Sequence, residues 1–98
     1  MQYFYVYILK CSDGSYYTGH TDNIEVRISQ HKQGLIKNCY TITRLPVEVV
    51  FVQTFASRNE AFHAERKIKG WTRQKKEALI EGDWKRISLL SKKIFEQK

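Results

Sequence analysis

The hydrophobic periods of this chain predict an α/β (α+β) domain, a small antiparallel sheet flanked by helices. Three observations carry that expectation. Residues 3–10 are apolar or aromatic on both pleat faces, with Tyr3, Tyr5, Tyr7 and Leu9 on one and Phe4, Val6 and Ile8 on the other, as in a central strand covered on both sides. Ser12-Asp13-Gly14 has the turn chemistry of a hairpin. Asp22-Asn23-Ile24-Glu25 and Ser57-Arg58-Asn59-Glu60 both have the capping-box form, a short oxygen side chain followed three residues later by Glu, that opens a helix.

The elements follow in order. Residues 15–19 read as the second, antiparallel strand, ended by Gly19. The helix begun at Asp22 runs to about Gln33 and stops at Gly34. Its inward stripe is Ile24, Arg27, Ile28, His31 and Leu35, so two polar groups fall on an apolar face. Residues 36–46 form a polar connection, and residues 47–55, β-branched and aromatic, read as a third strand. The second capped helix runs to about Lys69, with Ala61, Ala64, Glu65, Ile68 and then Trp71 on its inner face. Glu65 therefore points inward, and an unpaired buried carboxylate costs several kcal/mol, so it calls for an Arg, a metal or a set of hydrogen bonds. A short helix over residues 72–82 carries Ala78, Leu79 and Ile80 and ends at Gly82; Asp83 caps a last helix whose face is Trp84, Ile87, Leu90 (or Leu89) and Ile94. The expected organisation is a single domain, with residues 1–82 as its body and residues 83–98 as a basic amphipathic helix packed on it or on a partner.

The chain has 98 residues, 42% of them hydrophobic and 13% aromatic, which suits one modest core and argues against disorder. No run approaches the ~18 apolar residues of a membrane span. Met1-Gln2-Tyr3 lacks a basic n-region and a small-residue cleavage site, so no signal peptide is expected and a cytoplasmic location is. Cys11 and Cys39 have no metal-site spacing and read as reduced thiols. The net charge of +7 is uneven: residues 1–49 hold 5 Lys+Arg against 4 Asp+Glu, residues 50–98 hold 12 against 6. Such a basic half, with Tyr and Trp interspersed, suits a phosphate-backbone partner, although a solvated helical surface has the same composition.

The candidate chemistry lies in Tyr7, Tyr17 and Arg27, spaced ten residues apart, with His31 four beyond Arg27 and Glu65 on a later helix. Arg offers a permanently charged donor fork for phosphate, and one carboxylate is enough for Mg²⁺, which keeps most of its waters. A phenol near a metal ion can relay a proton if positive charge lowers its ordinary pKa of about 10. Each residue also has a plainer reading: Tyr7 as a core aromatic, Arg27 and Glu65 as a buried salt bridge between helices, His31 as a helix-end residue satisfied by a carbonyl. His20 follows Gly19 and is an accessory candidate for the same cleft; His63 falls off the inward stripe and reads as solvent-facing.

Together, Tyr5-Val6-Tyr7, Tyr17-Thr18-Gly19, Arg27, His31 and Glu65 resemble the GIY-YIG nuclease superfamily, and within it small stand-alone bacterial proteins similar to the N-terminal nuclease domain of a bacterial repair excinuclease. Lys10-Cys11-Ser12-Asp13-Gly14 and Ile68-Lys69-Gly70-Trp71-Thr72 support the likeness, which covers roughly residues 2–80. It implies a three-stranded antiparallel sheet and Mg²⁺- or Mn²⁺-dependent cleavage of a DNA phosphodiester, in repair or recombination, on branched or damaged DNA. By position, Tyr17 is the general base, Tyr7 orients the attacking water or the ion's hydration shell, Arg27 stabilises phosphoryl charge, Glu65 is the direct metal ligand and His31 belongs to the site. The first motif departs from the pattern as Tyr-Val-Tyr and the second as Tyr-Thr-Gly; His20 stands where some relatives have Lys, and an Asn that follows the metal Glu in several has no match, with Glu77 in its neighbourhood. The alternative is a nucleic-acid-binding module with a weak or vestigial site, in which Lys67, Lys69, Arg73, Lys75, Lys76, Lys85 and Arg86 carry the binding. A third possibility is a structural protein tied by an Arg27–Glu65 bridge. The expected state is a monomer or weak homodimer.

Overall fold

The computed structural model describes residues 2–96, and their side chains as far as residue 90. The elements are β1 (Phe4–Lys10), β2 (Tyr16–Thr21), α1 (Ile24–Lys32), a 3-10 turn (Tyr40–Thr43), β3 (Glu48–Phe55), α2 (Arg58–Lys69), α3 (Arg73–Glu81) and α4 (Trp84–Glu96). Among the described residues the fold is α+β: one three-stranded sheet in the order β2-β1-β3, antiparallel throughout, with four helices around it.

β1 is central because its sequence is apolar on both faces. Val6 and Ile8 pack with Ala61, Ile68 and Leu79 from α2 and α3, whereas Tyr7 and Leu9 pack with Cys11 and Val47 and draw in Tyr17, Ile24, Leu45 and Val49. Val6, Ile8 and Leu9 are wholly excluded from solvent. The β1–β2 turn closes with the Gly14 amide donating to the Cys11 carbonyl at 2.9 Å, and Gly14 takes φ +84°, a conformation that L side chains rarely adopt.

β2 does not end at Gly19. It continues through His20 to Thr21, pairing Gly19 with Tyr7, His20 with Val6 and Thr21 with Tyr5. Gly19 sits within the strand because the Tyr7 ring lies over it, with no room for a side chain. The α1 cap is Asn23 rather than Asp22: the Asn23 side chain accepts from the Val26 amide, while Asp22 turns to Arg58 at 3.5 Å. Leu35 leaves the α1 stripe and is 62% exposed, because the chain turns away at Gly34. Ser57, Thr72 and Asp83 cap α2, α3 and α4 through their side-chain oxygens. α4 lies against α3, and Ile87 reaches the core, but Trp84 remains 64% exposed instead of packing. Ile94 lies outside the described side chains.

Candidate active site

The pairing Tyr7↔Gly19 and Leu9↔Tyr17 puts Tyr7, Tyr17 and Gly19 on one face of the sheet, with the two tyrosine rings 6.4 Å apart. His20 alternates to the other face, where α2 packs. Both sets nevertheless line one cleft of about 300 Å³, so the cleft spans the edge of β2, one of the two outer strands. Its walls are Tyr7, Tyr17, Gly19, His20, Thr21, Asp22, Arg27, Arg58 and Glu65. A separate hollow of about 390 Å³ on α4, lined by Trp84, Lys85, Ser88 and Leu89, has no comparable set of polar groups.

The inner wall is a chain of hydrogen bonds. Tyr7, 1% exposed, meets His31 Nε2 at 2.8 Å, and His31 Nδ1 meets Thr41 Oγ1 at 2.9 Å. His31 is therefore satisfied by two side chains rather than by a carbonyl, and it stands behind Tyr7 instead of lining the cleft. Burial, and then the Tyr17 hydroxyl, push the Tyr7 phenol far above its ordinary range, against the pull of Arg27. Tyr17 stacks on Tyr40 at 16° between ring planes, and Arg44 covers the Tyr40 ring at 3.7 Å. Burial first, then Cys39 and Glu65, push Tyr17 up to about 12.

Glu65 arrives on the inner stripe of α2 and is 7% exposed. One carboxylate oxygen is bound to His20 Nδ1 and the other to Lys69 Nζ at 3.1 Å. Burial alone would raise the Glu65 carboxyl, but His20 and Lys69 together outweigh it and hold the group below the usual carboxylate range, so it is ionised at neutral pH. The Arg27–Glu65 bridge is not among the ion pairs of the described residues; both groups face the cleft instead.

The model of the GIY-YIG catalytic domain matches residues 3–78. The chain belongs to the GIY-YIG family. This GIY-YIG chain is 48% identical over 77 residues to the UPF0213 protein SH2523 of Staphylococcus haemolyticus, covering 79% of the chain and 93% of that protein. It is 44% identical over 79 residues to the UPF0213 protein HQ_3675A of Haloquadratum walsbyi, covering 81% and 88%. Among solved structures, the solution NMR structure of the UPF0213 protein BH0048 from Bacillus halodurans aligns with TM-score 0.54 at 42% identity, over 81% of this chain and 83% of that one. That of the protein EF2693 from E. faecalis aligns with TM-score 0.58 at 35% identity, over 84% and 86%. Membership implies a nuclease-type function and a nucleic-acid partner. Among the described residues, no helix is long and apolar enough to cross a membrane.

Within the GIY-YIG domain the structure brings Tyr7, Tyr17, Arg27, Glu65 and the accessory His20 to one cleft, with His31 in support. His63 is exposed, and Glu77 turns to Tyr16 at 3.3 Å and Arg73 at 3.5 Å, away from the cleft. The basic residues are less free than their sequence positions suggest. Lys75 is only 9% exposed, its ammonium 4.4 Å from the Trp71 ring centroid, so it does not offer a free surface charge. Lys76 is partly buried, and burial, with Lys69 nearby, lowers its ammonium pKa. Lys69 is engaged by Glu65, Arg73 by Glu77 and Arg86 by Glu81, leaving Lys67 and Lys85 as exposed cations of that group without an ion pair among the described residues. Sequence reasoning missed Arg58 and Asp22 as cleft residues, having assigned both to helix starts, and missed Thr41 in what it read as a polar connection.

Proposed function

We propose that this chain is a metal-dependent DNA endonuclease that hydrolyses a phosphodiester with a tyrosine-activated water, on branched or damaged DNA in repair or recombination. The observation that carries the reading is the convergence of an ionised Glu65 and Arg27 on two adjacent tyrosines in one cleft. The donor set fits Mg²⁺ or Mn²⁺ held by one carboxylate, its remaining positions filled by water and substrate phosphate; no group of three or more His, Cys, Asp or Glu among the described residues forms an all-protein cage. Glu65 would be the ligand, released in part by His20 and Lys69. When bound, the ion supplies positive charge that offsets the phosphate and lowers proton affinities around it.

Arg27 binds the phosphate oxygens and stabilises the charge that grows on them. Tyr7, fixed by His31, orients the attacking water. Tyr17, once its own phenol proton has passed to solvent, takes the attacking water's proton as the phenolate, a form that burial disfavours and Arg27 favours. Arg58, beside Asp22 at the mouth of the cleft, is placed to meet a neighbouring phosphate.

A second reading, a nucleic-acid-binding module with a vestigial site, is favoured by the same Tyr17 hydroxyl at about 12 and by the occupied Glu65 carboxylate. The two readings separate in a nicking assay on supercoiled plasmid and a panel of flapped, branched and linear DNAs, with and without Mg²⁺ or Mn²⁺. Metal-stimulated cleavage supports the nuclease; salt-dependent binding without cleavage overturns it. Arg27→Ala should lower the cleavage rate by about 10²–10³ while leaving much of the DNA affinity, since its donor acts where charge develops. A rate within twofold of wild type would remove Arg27 from that role.

A further inference from the structure

The chain of hydrogen bonds behind the cleft ends on a residue outside it, Thr41. Thr41 is 1% exposed in the 3-10 turn, and its single hydroxyl proton has two neighbours, His31 Nδ1 at 2.9 Å and Cys39 Sγ at 3.4 Å. The Cys39 sulfur lies 4.0 Å from His31 Nδ1, too far to replace Thr41 there. The Cys39 sulfur accepts from the Thr41 hydroxyl; burial would raise its thiol pKa, but hydrogen bonds from Thr41 and Tyr17, with Arg27 nearby, bring it below the ordinary value. His31 is neutral for a related reason, since burial and then Arg27 disfavour its charged form. A neutral imidazole carries one N–H, and the partner of one nitrogen decides the role of the other.

We infer that Thr41 is a positioning residue: by donating to Cys39 it leaves a lone pair for His31 Nδ1–H, so that His31 Nε2 accepts the Tyr7 hydroxyl and Tyr7 presents acceptor lone pairs to the cleft. Tyr7 then receives a hydrogen bond from the water in front of it and turns that water's own lone pair elsewhere. In the opposite tautomer Nε2–H donates to Tyr7, the phenol proton points into the cleft, and the water is held the wrong way round. Four side chains from β1, α1 and the segment after it thus set one polarity. The last step rests on the nuclease reading; the polarity itself does not.

The test is the ring ¹⁵N spectrum of His31, by long-range ¹H–¹⁵N correlation, together with the nicking rate. Wild type should show the Nδ1–H tautomer. Thr41→Val, nearly isosteric, should shift His31 towards Nε2–H and slow nicking on the order of tenfold, the size typical of lost support behind a site; Thr41→Ser should restore both. Cys39→Ala provides the same shift with Thr41 in place, because it frees the Thr41 hydroxyl to donate to His31, and it serves if the valine variant does not fold. An Nε2–H tautomer in wild type, or a shifted tautomer with unchanged nicking, overturns the inference. If wild type does not nick at all, the nuclease reading fails, while the His31 spectrum still decides the polarity.

Discussion

Glu65→Gln is expected to reduce metal-dependent cleavage by about a thousandfold, the several kcal/mol that a catalytic ion contributes to transition-state stabilisation. Glutamine keeps the shape of the side chain and discards its charge. Among the described residues, the cleft then loses its only carboxylate besides Asp22, which is paired with Arg58. The fold should survive. Removing one partner of a buried pair is costly when it strands the other charge, but the His20 side chain is 28% exposed and that of Lys69 is 50% exposed, so both can be solvated. Relief of carboxylate burial works in the opposite direction, and the net stability change should stay near about 1 kcal/mol. Initial nicking rates at saturating Mg²⁺ and a thermal melt check the two halves of this expectation. Glu65→Gln protein that cuts as fast as wild type would show the ion, if any, to be held elsewhere.

Gly19→Ala should damage both fold and site. An added Cβ would stand 2.5 Å from the Tyr7 hydroxyl oxygen, 2.6 Å from its Cζ and 3.2 Å from Tyr17 Cε2, closer than packed atoms tolerate. A flexible side chain would yield cheaply. Tyr7 is not one, because its ring is buried on the central strand and its hydroxyl is anchored on His31 at 2.8 Å. Overpacking of this kind costs about 1–3 kcal/mol and should lower Tm by roughly 5–15 °C. Displacing Tyr7 also breaks its link to His31, and a 1 Å misplacement of a positioning group costs on the order of 10²-fold in rate. Calorimetry and nicking of the alanine variant test this; an unchanged Tm with full activity would mean that the ring is not held over Gly19 in solution.

How much of this was legible in the sequence depends on periodicity. Tyr7 and Tyr17 could be joined because a hairpin with period 2 brings them to one face, and Glu65 could be placed because a capped helix with period 3.6 carries it inward. Gly19 reads in the sequence as a strand end, since a sequence shows a missing side chain but not the ring that fills its place. Thr41 lies in a four-residue 3-10 turn, too short to show any period, and its burial comes wholly from tertiary packing. Composition overstates the basic surface for a similar reason. Lys75 belongs by type to the surface, but it is buried with its ammonium over the Trp71 ring, and acidic partners engage Lys69, Arg73 and Arg86. The apolar face of α4 is legible, yet its first residue, Trp84, stays largely exposed instead of packing.

The strand order β2-β1-β3 also has a consequence in time. Pairing Lys10 with Tyr16 closes a very short loop, whereas pairing Phe4 with Phe55 must draw together distant parts of the chain. The hairpin that carries both tyrosines can therefore form before the third strand docks and α2 delivers its carboxylate. Pulsed hydrogen exchange during refolding should protect β1–β2 amides ahead of those of β3 and α2. A half-folded or newly emerging chain would then hold the tyrosines without the anionic ligand, and any cutting activity would begin only when folding is complete.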